Sequence, residues 1–203
     1  KVAEVRKRDV RLRPSAPFTT STMQQEAGRK LRYTAQRTMA VAQQLYEGLS
    51  VGSGGPVGLI TYMRTDSTQV ADSALSEVRE YIQERYGKDH LPAKVKVYTR
   101  ASKGAQEAHE AVRPTSIRRD PASLKDYLSA DQLNLYTLIW SRMLASQMED
   151  ARSEATTLNI DAACKNSGNV YNFRASGSVL KFAGFRTVYM EGLDDAKEPD
   201  DKK

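Results

Sequence analysis

The chain has 203 residues, 39% hydrophobic and 28% charged, which suits one large domain or one domain with part of another and excludes a chain disordered as a whole. No apolar run approaches the roughly 20 residues that span a bilayer, and residues 1–13 lack the apolar stretch of a signal peptide. The formal charge is +6, with six acids against three lysines in residues 191–203, so the basic excess lies in the rest of the chain and suits an anionic partner, DNA or RNA first.

Residues 2–13 alternate loosely, with Val5, Val10 and Leu12 among charges, which predicts a strand. Pro14 and Pro17 then break the backbone. Ser21 and Gln24 form a capping-box pattern that opens a helix ending near Arg32. A second helix is expected from Thr34 to Glu47, with Thr38/Met39, Ala42, Leu45/Tyr46 and Leu49 on its inner face. The two resemble a helix-turn-helix pair, a weak signal because helical hairpins are common packing units. Residues 48–58 hold five glycines and a proline and read as a flexible connector. No Lys-Ser/Thr closes that stretch and no G-x-G-x-x-G fits it, so it is not a phosphate cradle.

Ala71, Ala74/Leu75, Val78, Tyr81/Ile82 and Arg85/Tyr86 define an amphipathic helix that stops at Gly87. Residues 88–120 are irregular, with a short strand expected at 95–99. Pro121 suits the first position of another helix. Leu133, Tyr136, Ile139/Trp140, Met143/Leu144 and Met148 mark a long helix forming the hydrophobic spine. Beyond residue 150 the period changes to two. Thr156, Leu158 and Ile160 alternate, residues 166–169 give a turn, and Val170, Tyr171 and Phe173 resume a strand. Further strand is expected after Gly177 and Gly184. The fold class is mainly α with a β part, a multi-domain α+β arrangement. Residues 18–150 form a helical domain inserted between β segments 1–17 and 151–190. Residues 191–203 form a charged loop or disordered tail.

Residues 60–67 read Ile-Thr-Tyr-Met-Arg-Thr-Asp-Ser. Tyr62 lies two residues before the guanidinium of Arg64, among short polar side chains. A tyrosine helped by a cation can attack phosphorus and hold the phosphate as an ester. Arg64 can bind a non-bridging oxygen and stabilise the pentacovalent transition state. In an extended backbone, positions i and i+2 share a face, which pairs Tyr62 with Arg64 and turns Met63 inward. Thr65 and Ser67 are placed to hydrogen-bond phosphate, and Asp66 to orient Arg64 or cap the next helix. Taken alone, a Tyr-x-Arg pair is common.

The second cluster is residues 106–115, Gln-Glu-Ala-His-Glu-Ala-Val-Arg-Pro-Thr. A zinc helix wants a second histidine four residues after His109, and Arg113 stands there instead. A cationic His109 beside Arg113 suits phosphate. His90, in a turn beside Gly87 and Pro92, is a surface histidine. Cys164 is the single cysteine, which excludes an intramolecular disulfide and fits a reducing, cytoplasmic setting.

Residues 58–67 and 106–114 together resemble the two signature segments of type IA DNA topoisomerases, the bacterial topoisomerase I branch above all. Residues 17–27, 38–47 and 138–148 are similar to the same family, in order and at family spacing. The resemblance implies that Tyr62 attacks a single-stranded DNA phosphodiester and forms a 5′-phosphotyrosine. The freed 3′-hydroxyl would stay bound, and would reseal the break after another strand passes. It further implies relaxation of negatively supercoiled DNA in a nucleoid-associated enzyme. Arg64 would hold the scissile phosphate, His109 would contact a nearby phosphate and assist proton transfer, and Arg113 would be a secondary DNA contact. The family's Mg²⁺ belongs to a Toprim domain with an Asp-x-Asp run, and this sequence holds no Asp-x-Asp. The chain is thus expected to be a fragment that binds no metal itself, needs the Toprim and remaining domains of its polypeptide, and is inactive alone. Topoisomerase III and reverse gyrase share the family, and the Tyr-Met-Arg-Thr-Asp-Ser form favours topoisomerase I. A non-catalytic nucleic-acid-binding module has no reason to carry both segments. A tyrosine recombinase would place its tyrosine last.

Overall fold

The computed structural model describes residues 1–52, 55–98 and 109–192. Its elements in chain order are strand β1 (Val2–Leu12), helices α1 (Thr20–Leu31) and α2 (Ala35–Glu47), a minimal hairpin of β2 (Leu49–Ser50) and β3 (Pro56–Val57), helix α3 (Asp72–Tyr86), helix α4 (Ala130–Ser146), and strands β4 (Ala151–Ala163) and β5 (Val170–Phe182). This is an α+β fold. No helix among the described residues is long and apolar enough to cross a membrane.

Helices α1, α2 and α4 start where a side chain can take up orphan amide donors, whereas α3 starts after Ala71 with no side-chain cap. The cap of α1 is Thr19 rather than Ser21. Its side chain accepts from the Thr22 amide while the Thr22 hydroxyl accepts from the Thr19 amide at 2.9 Å. In a run of four Ser/Thr residues the sequence pattern leaves the register open by two positions, and the burial of Met23 and Ala27 decides it. Thr34 caps α2, and Ser129 with Gln132 makes a capping box for α4. Asp120 caps a 3-10 turn (Pro121–Leu124) that has proline in its first turn.

The core is built around α4, whose Leu135, Tyr136, Ile139, Met143 and Leu144 are essentially inaccessible. The polar tips of its aromatics are used rather than stranded. Trp140 Nε1 donates to the Ile117 carbonyl at 2.8 Å, and the Tyr136 hydroxyl to the Arg119 carbonyl at 2.7 Å. Tyr81 of α3 meets Trp140 edge-on and donates to Asp120. These contacts pin residues 117–120 to the spine, just downstream of the second signature segment. Arg142 is buried and fully engaged, as an interior charge must be. It donates to the Ala16 carbonyl at 2.6 Å and to Glu191 at 2.8 Å.

The β part is one antiparallel sheet in the order β1-β4-β5. β4 and β5 form a hairpin from Ala163↔Val170 to Arg152↔Phe182, and β1 pairs along β4 from Leu12↔Ala151 to Val2↔Ile160. The first strand of the chain therefore lies beside strands that follow all four helices. β5 runs through Gly177 without a break. The strand expected after Gly184 is instead a 3-10 turn (Gly184–Thr187). Gly184 has φ +50, and a Cβ there would stand 2.5 Å from the Glu149 carbonyl oxygen, so the backbone curls onto the link between α4 and β4 and cannot extend. Residues 95–98 form no strand, and Thr99 lies outside the described residues.

Candidate active site

The chain approaches Tyr62 pressed against the end of α2. A Cβ at Gly58 would stand 2.8 Å from the Tyr46 carbonyl oxygen, and the Leu59 amide donates to the Leu45 carbonyl at 2.7 Å. Only glycine permits that approach. Leu59 and Ile60 then enter the core.

Residues 59–61 run antiparallel to residues 111–115. Ile60 bridges to Pro114, the Thr61 amide donates to the Arg113 carbonyl at 2.9 Å, and the Thr115 amide donates to the Leu59 carbonyl at 3.0 Å. The Thr61 hydroxyl donates to the Ala111 carbonyl at 2.6 Å and accepts from the Arg113 amide at 3.0 Å. The other strand edge of this segment is held as well, since the Val112 amide donates to the Phe18 carbonyl. This lacing joins the two segments that the sequence analysis singled out. It carries His109 to within 6.1 Å of Tyr62, ring centroid to ring centroid, at an interplanar angle of 37°. Tyr62 also meets Tyr46 edge-on, at 5.4 Å and 65°.

Past Tyr62 the backbone bends at residues 63–64 and is not a regular strand, yet it keeps the strand's alternation. Met63, Thr65 and Ser67 are buried, while Tyr62, Arg64 and Asp66 face outward. Thr20, in the first turn of α1, holds the bend. Its hydroxyl donates to the Met63 carbonyl at 2.7 Å and accepts from the Thr65 amide at 2.8 Å, and its own amide donates to the Thr65 carbonyl. Thr20→Val keeps the shape but strands that carbonyl and amide. We expect a loss of about 1–3 kcal/mol in stability, read from the urea midpoint with the slope unchanged. A loss below about 0.5 kcal/mol, the scale of an ordinary surface substitution, would show that the bend does not depend on Thr20.

Tyr62 is 40% exposed, and among the described residues its hydroxyl makes no hydrogen bond. Other tyrosines differ. Burial pushes the phenols of Tyr98, Tyr136 and Tyr189 well above their ordinary range, and each is committed to an interior acceptor. Arg64 is also exposed and has no ion-pair or hydrogen-bond partner among the described residues. An accessible phenol framed by two rings, with an uncommitted guanidinium two residues on, is an arrangement open to a phosphate.

The comparisons with known proteins decide the family. The DNA topoisomerase family model matches residues 1–203. The chain belongs to the bacterial type IA DNA topoisomerases. It is 48% identical over 200 residues to DNA topoisomerase 1 of Xylella fastidiosa, in strain Temecula1 and in strain 9a5c, a match that covers 98% of this chain and 24% of that protein. Its fold is similar to the full-length topoisomerase I structure from Thermotoga maritima, with a TM-score of 0.78 and 36% identity, covering 98% of this chain and 31% of that one. The topoisomerase chain thus spans about a quarter of the length of the curated relatives it matches.

Several site residues stand differently from the sequence expectation. Thr65 and Ser67, expected at the phosphate, are 8% and 2% exposed, and their hydroxyls accept from the amides of Ser67 and Gln69. They shape the loop from inside. Arg113, expected as a DNA contact, has a side chain only 12% exposed. It donates to Glu110 through Nε at 2.9 Å and to the Pro114 carbonyl at 3.0 Å. Glu110 also accepts from the Ala71 amide, so Glu110 and Arg113 brace the His109 segment rather than face outward. Asp66 neither pairs with Arg64 nor caps α3, whose cap position is Ala71. His90, expected at the surface, is half-buried, with its ring held by the Tyr86 carbonyl and packed on Phe182. Glu107 lies outside the described residues. Tyr46 and Thr20 were not singled out as site residues in the sequence. The only signal for Tyr46 was an aromatic at the edge of an apolar helical stripe, directly after the core residue Leu45.

Among the described residues no group of three or more His, Cys, Asp or Glu side chains could hold a metal ion. The described residues therefore do not fit a Mg²⁺ site.

Proposed function

We propose that this topoisomerase chain supplies the nucleophile and the phosphate clamp that cut and reseal single-stranded DNA. The Tyr62 Oη–P bond forms as the P–O3′ bond breaks. The phenol proton is lost and the departing 3′-oxygen gains one, so charge and protons balance. The downstream strand stays on the protein through its 5′-phosphate, and the 3′-hydroxyl reverses the step. Because the phosphotyrosine ester conserves the bond energy, no nucleotide cofactor is needed. Arg64 neutralises the charge that builds on the non-bridging oxygens, and His109, beside Tyr62, contacts an adjacent phosphate and assists proton transfer. Mg²⁺ in the intact enzyme would be held by a Toprim domain outside these residues. Relaxation of negatively supercoiled DNA is the outcome we assign to the whole polypeptide, with residues 18–150 as a helical unit set between the β segments.

The observation that carries this reading is the exposed Tyr62 phenol in ring contact with Tyr46 and His109, with Arg64, unpaired among the described residues, two positions on. The test replaces the matching 200 residues of the Xylella fastidiosa protein with this chain and supplies end-labelled single-stranded DNA. A denaturation-stable adduct is expected to retain the 3′-labelled fragment and release the 5′-labelled one. Retention of the 5′ label would mean a 3′-phosphotyrosine and overturn the assignment. Absence of any adduct, with DNA still bound, would favour a non-catalytic binding module.

A further inference from the structure

We propose that Tyr46 is a positioning residue for Tyr62, holding the nucleophile's ring in the orientation from which its oxygen meets phosphorus; the inference rests on the reading of Tyr62 above. Tyr46 sits in the last turn of α2 and is 40% exposed, while the preceding Leu45 is fully buried. Packing of the core therefore does not call for an aromatic at position 46. What the ring does touch is Tyr62, edge-on at 5.4 Å. The His109 ring is a second neighbour of Tyr62, 6.1 Å away between centroids.

A half-exposed tyrosine on a bend would otherwise exchange among its rotamers on the picosecond to nanosecond scale. Two flanking rings restrict that exchange without occupying the hydroxyl, which makes no hydrogen bond among the described residues. The spacing of the two tyrosines is set by the backbone. Gly58 lies directly against the Tyr46 carbonyl, and the Leu59 amide bonds the Leu45 carbonyl. The end of α2 and residues 58–62 thus form one block, with Tyr46 fixed relative to Tyr62 by main-chain contacts. Reaction geometry is sensitive to such placement, since small misalignments of a nucleophile lower rates strongly.

The experiment uses the chimera described above and compares Tyr46→Leu, Tyr46→Met and Tyr46→Phe. Single-turnover adduct formation is measured at saturating protein, and DNA affinity is measured separately in a Tyr62→Phe background. Leucine and methionine fill much of the space but lack an aromatic edge. They are expected to slow adduct formation about tenfold, in line with a lost aromatic pair plus some misalignment. DNA affinity and the unfolding midpoint should stay within experimental scatter, and phenylalanine should restore the rate. Unchanged rates in both aliphatic variants would overturn the proposal. So would a loss of affinity matching the loss of rate, which would make Tyr46 a base-stacking contact, or a phenylalanine variant as slow as leucine, which would make the hydroxyl the active group. If Tyr62→Phe alone still forms the adduct, the reading of Tyr62 fails, whatever Tyr46 does.

Discussion

Tyr62→Phe is expected to leave a folded protein that binds single-stranded DNA and forms no covalent adduct. The substitution removes one oxygen from a half-exposed side chain. Because that oxygen has no hydrogen-bond partner among the described residues, nothing in the interior is left unpaired. The ring contacts with Tyr46 and His109 survive, because phenylalanine keeps the ring. Stability should therefore change by no more than about 0.5 kcal/mol, as for an ordinary surface substitution. Activity should fall to background, since no other oxygen takes the place of the nucleophile. The measurement is adduct formation on denaturing gels beside a thermal unfolding curve. A persistent adduct would move the chemistry to another residue. A large fall in the unfolding temperature would leave loss of fold as the explanation for inactivity.

Arg64→Ala is the second large effect. A charged donor aimed at a developing oxyanion is worth about 2–4 kcal/mol in the transition state, which corresponds to roughly 30- to 1,000-fold in the cleavage rate. Ground-state DNA affinity should fall much less, because one exposed cation adds only modestly to phosphate binding in salt. Stability should hardly move, since Arg64 has no described partner to lose. Arg64→Lys keeps the charge but not the fork of donors and should recover only part of the rate. Rate and affinity falling by the same factor would mean that Arg64 holds DNA without favouring the transition state.

Periodicity made most of the architecture legible. The stripes of α2, α3 and α4 report burial directly, and burial is what the fold selects, whereas Val2, Val5 and Leu12 of β1 stay exposed. The misses come from groups that composition cannot assign. Thr65 and Ser67 look like phosphate ligands because hydroxyls bond phosphate, but the same hydroxyls bond nearby backbone amides, and here the bend takes them first. Arg113 was expected at DNA from the resemblance and from its place beside His109. A bonded Glu110 three residues before it consumes the guanidinium instead. The turn at Gly184 was hidden among apolar residues that suit a strand, and only the proximity of the Glu149 carbonyl forbids one. The pairing of Tyr62 with His109 was suggested by resemblance alone, because the contact that creates it joins residues about fifty positions apart through Thr61.

The long pairing of β1 with β4 has a kinetic consequence. From Leu12↔Ala151 to Val2↔Ile160, every rung joins residues about 140 to 160 positions apart. Closing so wide a loop in an unfolded chain is entropically unfavourable, and contacts of this separation slow folding. Once the helices have packed and brought Ala16 against Arg142, the loop is already short and the strand can add rung by rung. The Tyr62 site is laced by contacts of shorter range, through Thr20, Gly58, Thr61 and Val112, so it should assemble while β1 is still unpaired. Hydrogen exchange during refolding would then protect the amides of Thr61 and Arg113 before those of Val5 and Arg8.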